Sequence, residues 1–121
     1  MGEPHRGIVL IVEDDRDTRE LFFLVLAGAG FRCVMSATAD EALKRSAIVR
    51  FDVVVMDLGL PRREDGLALA RRLRARENPP RLVAVTGEAP AHPDLFDAEL
   101  RKPVDPDDLV TSVVRVVGGS A

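Results

Sequence analysis

The chain alternates short, β-branched apolar runs with longer amphipathic segments, and this alternation restricts the fold more than any other feature. Residues 8–12, 52–57 and 81–85 each contain a continuous apolar run, with Asp52 and Asp57 bounding the second and Arg81 opening the third. Such runs are typical of central strands of a parallel sheet that is covered on both faces. Residues 31–36 and 98–101 are less uniform and are predicted to be edge strands. Strands that alternate with helices form βαβ units with right-handed crossovers, so we expect an α/β fold with one parallel sheet.

Helices are predicted between these runs. The apolar residues of two segments recur at helical spacing; they are Leu21, Leu24, Val25 and Gly28 in residues 17–29, and Leu67, Ala70 and Leu73 in residues 65–77. Thr38 and Glu41 have the spacing of a capping box, which predicts a helix beginning there. Asp105 followed by Pro106 is typical of an N-cap and a first helical position, so a last helix is expected after them.

Length and composition indicate one globular domain. A chain of 121 residues with 46% apolar and 31% charged residues is long enough for a single core. The net charge of −3 gives no basic field, so direct nucleic-acid binding is not expected. No apolar run has the length of a membrane span, and residues 1–6 lack the apolar core of a signal peptide, so we expect a cytoplasmic protein. We place the domain at residues 7–117, between tails at 1–6 and 118–121.

Polar side chains follow the predicted strands at the points where these end. Glu13 and Asp14 come after the first strand, Asp57 ends the third, Thr86 follows the fourth and Lys102 follows the fifth. The carboxyl ends of parallel strands meet at one edge of the sheet. Three carboxylates there would repel one another unless a hard divalent cation such as Mg²⁺ lay between them. With a hydroxyl and an ammonium as donors to an anion, the set indicates phosphoryl transfer onto a carboxylate.

These motifs together resemble the receiver domains of two-component response regulators. The resemblance rests on residues 8–14, residues 57–61 followed by Asp65-Gly66, Thr86-Gly87 and Lys102-Pro103, and it spans roughly the whole of residues 7–117. It implies a doubly wound α/β fold whose five-stranded parallel sheet has the order 2-1-3-4-5, with helices on both faces.

The resemblance also implies a role for each acidic residue. Asp57 would be the phosphoacceptor, taking the phosphoryl group from the phosphohistidine of a sensor histidine kinase or a histidine phosphotransfer protein. Asp14 and Asp57 would hold Mg²⁺ together with the backbone carbonyl of Gly59, and Glu13 would act directly or through water. Such a domain is a signalling phosphoacceptor rather than a metabolic enzyme, although slow self-dephosphorylation is compatible with it.

The remaining site residues receive implied roles in the same way. Lys102 would pair with Asp57 at rest and with the phosphoryl oxygens afterwards. Thr86 would move toward the phosphoryl group and hydrogen-bond to it, which is the switch, while Gly87 leaves that group accessible. The bond between Lys102 and Pro103 is one that is often cis in this family.

Other interpretations of the same residues remain open. Asp14, Asp15 or Asp17 could simply cap the first helix, Thr86 could cap a turn, and Lys102 could be a solvated surface amine. An aspartyl-phosphate hydrolase would need a second carboxylate two residues after the nucleophile, where this chain has Gly59. A protein-interaction module on the same fold, without phosphorylation, is the main alternative function.

The sequence departs from the family between Thr86 and Lys102. Only fifteen residues, Gly87 to Arg101, lie between them. About five must form the last strand, so roughly ten remain for two connections and the usual fourth helix. Pro90 and Pro93 oppose a regular helix there, so we expect that helix to be shortened or missing. The loop over residues 62–65 is also one residue longer than usual.

The output of the domain is expected to differ from that of a typical receiver. Many receivers have an aromatic residue three positions before the lysine, whereas this chain has Glu99, which would need a partner if buried. We therefore expect signalling through a different surface, or mainly phosphate relay. The chain ends shortly after the last predicted helix, so we expect a stand-alone receiver or one excised from a larger hybrid kinase.

Overall fold

A computed structural model of the chain describes residues 6–60, 63–89 and 92–118. The strands are β1 (Ile8–Val12), β2 (Arg32–Ser36), β3 (Val53–Asp57), β4 (Arg81–Thr86) and β5 (Ala98–Arg101). The helices are α1 (Arg16–Gly28), α2 (Ala39–Ile48), α3 (Arg63–Arg74) and α4 (Pro106–Gly118). None of these helices is both long and apolar enough to cross a membrane. Three residues of the predicted motifs, Pro61, Arg62 and Pro90, lie outside the described ranges.

The five strands form one parallel sheet in the order β2-β1-β3-β4-β5, which confirms the predicted doubly wound fold. The registers align the carboxyl ends of neighbouring strands. Val12 at the end of β1 pairs with Met56, one residue before the end of β3, and Asp57 pairs with Val85 of β4. Thr86 in turn pairs with Arg101, directly before Lys102. Residues that follow these strands therefore lie along one edge of the sheet.

The sheet is covered on both faces, which explains the continuous apolar runs of its central strands. Successive side chains of a strand point to opposite faces. In β1, Leu10 and Val12 pack with buried residues of α2 and α3, whereas Val9 and Ile11 pack with α1 and α4. A strand that is buried on both sides does not alternate polar and apolar residues. The polar residue of β3, Asp57, therefore lies at the last position of the strand, at the edge of the sheet.

The buried face of α1 differs from the one that the helical spacing indicated. Phe22 and Leu26 are the buried residues of this helix. Leu21 is 47% exposed and Leu24 is 68% exposed, so the predicted face was wrong for these two residues, whereas Val25 is half-buried against the core. The sequence 21–26 is apolar at every position, and periodicity cannot select one face of such a segment without knowing which surface it meets.

No helix connects β4 and β5 in the described residues 87–89 and 92–97. Instead, the N–H groups of Leu95 and Phe96 both donate to the carbonyl of His92, which closes a single turn. Phe96 is 4% exposed and packs in the core beneath this turn. The expectation that the helix between β4 and β5 is shortened or missing is therefore confirmed. The connection is too short to contain a full helix and still reach the start of β5.

Candidate functional site

Three carboxylates meet at the carboxyl edge of the sheet. Glu13 and Asp14 follow β1, and Asp57 ends the adjacent β3. One oxygen from each residue lies within 4.8 Å of the others, the spacing of a possible cation site. Glu13 and Asp57 are 1% and 4% exposed, whereas Asp14 is exposed to solvent. The site is thus a mostly buried acidic cluster with one open side.

Glu13 is the least satisfied member of this cluster. Its Oε2 accepts a hydrogen bond of 3.1 Å from the Asp15 N–H. Its Oε1 is buried and has no hydrogen-bond partner in the described part of the chain, since the Lys102 Nζ lies 4.0 Å away. Burial raises the pKa of Glu13 to about 8, the bond from Asp15 opposes this rise, and the nearby Asp57 adds to it. A buried carboxylate oxygen without a donor favours either a proton or a cation at this position.

Donors hold both oxygens of Asp57. The Gly59 N–H donates to Oδ1 at 2.8 Å, and the Lys102 Nζ donates to Oδ2 at 3.1 Å. Lys102 reaches this position because its own N–H donates to the Thr86 carbonyl at 2.7 Å, directly after the pairing of β4 with β5. The peptide bond from Lys102 to Pro103 is cis, as expected.

The ammonium of Lys102 is stabilised in its charged form by the cluster. Burial alone would lower the pKa of Lys102, but the hydrogen bond and charge of Asp57 outweigh it, and Glu13 and Asp14 act in the same direction. The pKa of Lys102 is therefore raised. One positive charge faces three carboxylates, which leaves the site with an excess of negative charge that suits a divalent cation.

Thr86 and Gly87 line a cavity beside Asp57. Thr86 ends β4, is 3% exposed, and its Oγ1 accepts a hydrogen bond of 3.1 Å from the Glu88 N–H. The cavity has a volume of about 270 Å³, and its other lining residues are Asp57, Leu58, Gly59, Glu88 and Lys102. A Cβ atom at Gly87 would meet nothing within 4 Å, so this side of the cavity is open.

The donor set fits Mg²⁺. Hard divalent cations take oxygen ligands, and the cluster supplies carboxylate oxygens from three residues. The buried Oε1 of Glu13 without a hydrogen-bond donor is the observation that supports this fit. Glu13, Asp14 and Asp57 could hold the ion by their side chains, and Gly59 lies directly beside Asp57 through its N–H bond.

Asp15, and not Asp14, caps the first helix. Asp15 is the N-cap of α1, and its Oδ2 accepts from the Thr18 N–H at 2.9 Å and from the Thr18 hydroxyl at 2.6 Å. These bonds lower the pKa of Asp15. Asp14 is therefore not used as the N-cap of α1, and its carboxylate belongs to the acidic cluster.

Arg19 contacts the site although the sequence did not single it out. Its NH1 donates to the carbonyl of Glu13 at 2.8 Å and to that of Asp14 at 3.4 Å. In the sequence it is one of two arginines on an amphipathic helix, with nothing in its spacing to distinguish it from a solvated residue. The only signal is its position one turn after the N-cap Asp15.

Comparison with known proteins agrees with this geometry. The sequence matches the response regulator receiver domain family over residues 9–114. The DNA-binding transcriptional regulator NtrC of Salmonella typhimurium is 34% identical over 93% of this chain and 25% of its own length. The chain thus spans about a quarter of the length of this curated relative.

Solved structures show the same architecture. A CheY-like response regulator receiver domain from Methylobacillus flagellatus superposes with a TM-score of 0.80 at 33% identity, over 90% of this chain and 97% of that one. A sensor protein from Polaromonas sp. JS666 gives a TM-score of 0.82 at 30% identity, over 96% and 99% of the two chains. The match of the family over most of the chain, together with this fold and acidic site, shows that the chain belongs to the response regulator receiver domains.

Proposed function

We propose that this receiver domain accepts a phosphoryl group on Asp57 from the phosphohistidine of a sensor histidine kinase or a histidine phosphotransfer protein. The observation that carries the proposal is the Lys102 ammonium 3.1 Å from Oδ2 of Asp57, a carboxylate that is 4% exposed at the end of a fully buried strand. A buried aspartate beside two more carboxylates is costly for folding alone. A function at the site explains its presence.

The transfer needs a nucleophilic oxygen and groups that bind the phosphoryl oxygens. A carboxylate oxygen of Asp57 forms a bond to phosphorus while the phosphorus–nitrogen bond breaks, and the leaving imidazole nitrogen keeps the electron pair and takes up a proton. Lys102 then donates to a phosphoryl oxygen instead of to Asp57. Thr86 lines the same cavity and turns its hydroxyl to the phosphoryl group, giving up its present bond from the Glu88 N–H.

Mg²⁺ is the proposed cofactor. Glu13, Asp14 and Asp57 would hold it, with the carbonyl of Gly59 as a further ligand. When bound, the ion supplies positive charge that offsets the carboxylates and the negative charge of the transferring group. The single ammonium of Lys102 cannot balance three carboxylates by itself.

The proposed output differs from that of a typical receiver. The support is the single turn at residues 92–96 in place of a helix between β4 and β5, and the carboxylate of Glu99 at the position of the usual aromatic residue. We propose that the domain relays phosphate or contacts its target through a different surface.

We also propose that the domain extends over residues 7–117 and that the protein is cytoplasmic.

Intact mass spectrometry after incubation with a small phosphodonor, with and without Mg²⁺, tests the chemistry. We expect an adduct of one phosphoryl group that needs Mg²⁺ and is lost in Asp57→Asn. The matched control is Asp52→Asn, directly before the start of β3, whose side-chain oxygen can still accept from the Ile8 N–H as Asp52 does at 2.8 Å. This variant should be phosphorylated like the native protein.

Two results would count against the proposal. An adduct that persists in Asp57→Asn would place the phosphoryl group elsewhere. No adduct with any small donor, followed by none with the cognate kinase, would favour the protein-interaction module without phosphorylation.

A further inference from the structure

We infer that Arg19 is a positioning residue for the acidic site, in that it fixes the backbone which carries two of the three carboxylates. The inference rests on the magnesium site proposed above. Arg19 lies on α1, one turn after the N-cap, and is half-buried. Its guanidinium does not bind a carboxylate of the cluster but the main chain beneath it, since NH1 donates to the carbonyls of Glu13 and Asp14 at 2.8 and 3.4 Å.

The two hydrogen bonds from Arg19 to backbone carbonyls restrain the direction in which the side chains of Glu13 and Asp14 point. A hydrogen bond to its oxygen restrains the orientation of a peptide plane, and because the peptide unit is rigid this restraint limits the φ and ψ angles on either side of it. Glu13 and Asp14 each have their carbonyl anchored to the same nitrogen, so the Cα–Cβ directions of both residues are constrained together. Catalytic and metal sites depend on such outer contacts to orient their ligands.

In the described part of the chain, the other hydrogen bonds of residues 13–15 involve the ligands or the cap. Glu13 N–H donates to the Ser36 carbonyl at 3.1 Å, and the Asp15 N–H donates to the Glu13 carboxylate itself. Neither fixes the peptide between Asp14 and Asp15. The three carboxylates lie within 4.8 Å of one another and repel one another when they are ionised, so an unanchored loop would relax outward and weaken the site.

The sign of the effect separates positioning from simple electrostatics. Removing a positive charge near a cation site should tighten Mg²⁺ binding if charge alone mattered. Removing an anchor should weaken it. We expect the dissociation constant for Mg²⁺ to rise roughly tenfold in Arg19→Ala, the lower end of the cost of losing an outer partner of metal ligands. Arg19→Lys, which keeps the charge but not the planar guanidinium, should recover part of the affinity.

Isothermal titration calorimetry with Mg²⁺ on the full chain measures this, and Arg16→Ala is the matched control. Arg16 lies on the same helix, carries the same charge, and pairs with Glu20 at 3.1 Å in a solvent-exposed bridge. We expect its Mg²⁺ affinity to be that of the native protein. An unchanged or tighter affinity in Arg19→Ala, or equal weakening in both variants, would overturn the inference.

A readout without metal keeps this test separate from the proposed function. In EDTA, amide hydrogen exchange of Asp15 should become at least several-fold faster in Arg19→Ala, while exchange in β3 stays unchanged. Unchanged exchange at Asp15 would contradict the positioning role, whether or not Mg²⁺ binds. A native protein that binds Mg²⁺ but is never phosphorylated would instead contradict the phosphoacceptor proposal and leave the role of Arg19 supported by its own measurements.

Discussion

Oε2 of Glu99 accepts a hydrogen bond of 3.1 Å from the backbone N–H of His92, seven residues earlier in the chain. His92 begins the single turn that the N–H groups of Leu95 and Phe96 close on its carbonyl. The first N–H of a turn has no partner within the turn, and Glu99 supplies one from β5. The carboxylate at the position of the usual aromatic residue therefore holds the connection that replaces the missing helix.

Removing the Glu99 side chain should loosen this connection without unfolding the domain. We expect Glu99→Ala to lower the free energy of unfolding by about 1 kcal/mol, the usual net value of one hydrogen bond. The backbone amides of residue 92 and residues 94–97 should exchange faster in hydrogen-exchange mass spectrometry. Glu99→Gln keeps an oxygen that can accept from the His92 N–H and should stay close to the native protein. Native exchange rates in Glu99→Ala would show that the bond does not hold the turn.

The pH dependence of stability should reveal the unsatisfied carboxylate of Glu13. Its pKa is raised from 4.5 to about 8, chiefly by burial. The folded state therefore favours protonated Glu13, so its stabilising contribution is complete below about pH 4.5 and is lost as the pH rises through about 8. In the metal-free protein we expect Glu13→Gln, which stays neutral, to gain stability relative to the native chain over this range.

Chemical denaturation in EDTA at pH 5.5, 7 and 8.5 measures that difference. Each pKa unit corresponds to about 1.4 kcal/mol, so Glu13→Gln should be more stable by up to a few kcal/mol at the highest pH. Mg²⁺ should stabilise the native protein at high pH and the variant much less. A difference between the two proteins that is constant with pH would contradict the raised pKa.

Two helical glycines should respond to alanine with opposite signs. A Cβ atom at Gly66 in α3 would lie 3.2 Å from the Leu58 Cα and 3.4 Å from the Asp57 carbonyl oxygen. These are backbone atoms beside the site, so we expect Gly66→Ala to cost roughly 1–3 kcal/mol through overpacking.

The matched control is Gly28→Ala in α1. A Cβ atom at Gly28 would meet nothing within 4 Å, so alanine should stabilise the helix there by up to about 1 kcal/mol. Thermal denaturation of both variants checks the pair. Stabilisation by both changes would show that α3 can move away from Leu58 at no cost.

The exposed face of α1 can be tested with two leucines two positions apart. Leu26 is fully buried, and Leu26→Ala should cost about 2–5 kcal/mol. Leu24 is 68% exposed, so Leu24→Ala should change the free energy of unfolding by less than about 0.5 kcal/mol. Urea denaturation of the two variants measures both values. A large loss in Leu24→Ala would restore the face that the helical spacing indicated.

The fold and the place of the site were determined by the sequence. Continuous apolar strands can only be buried on both faces, and the alternation with helices requires parallel pairing. Parallel strands bring their carboxyl ends to one edge, which is why Asp57 meets Glu13 and Asp14 although it lies far from them in the chain. The short connection with its prolines likewise excluded a full helix before β5.

Only the tertiary structure decided how individual side chains are used. Periodicity fixes the spacing of apolar residues on α1 but not the surface that they meet, so the burial of Phe22 rather than Leu21 could not be foreseen. The bonds of Arg19 to two carbonyls and of Glu99 to His92 depend on where helix, loop and strand come to lie in space. The sequence shows which groups can form hydrogen bonds, but the partner of each group depends on how the helices, strands and loops pack.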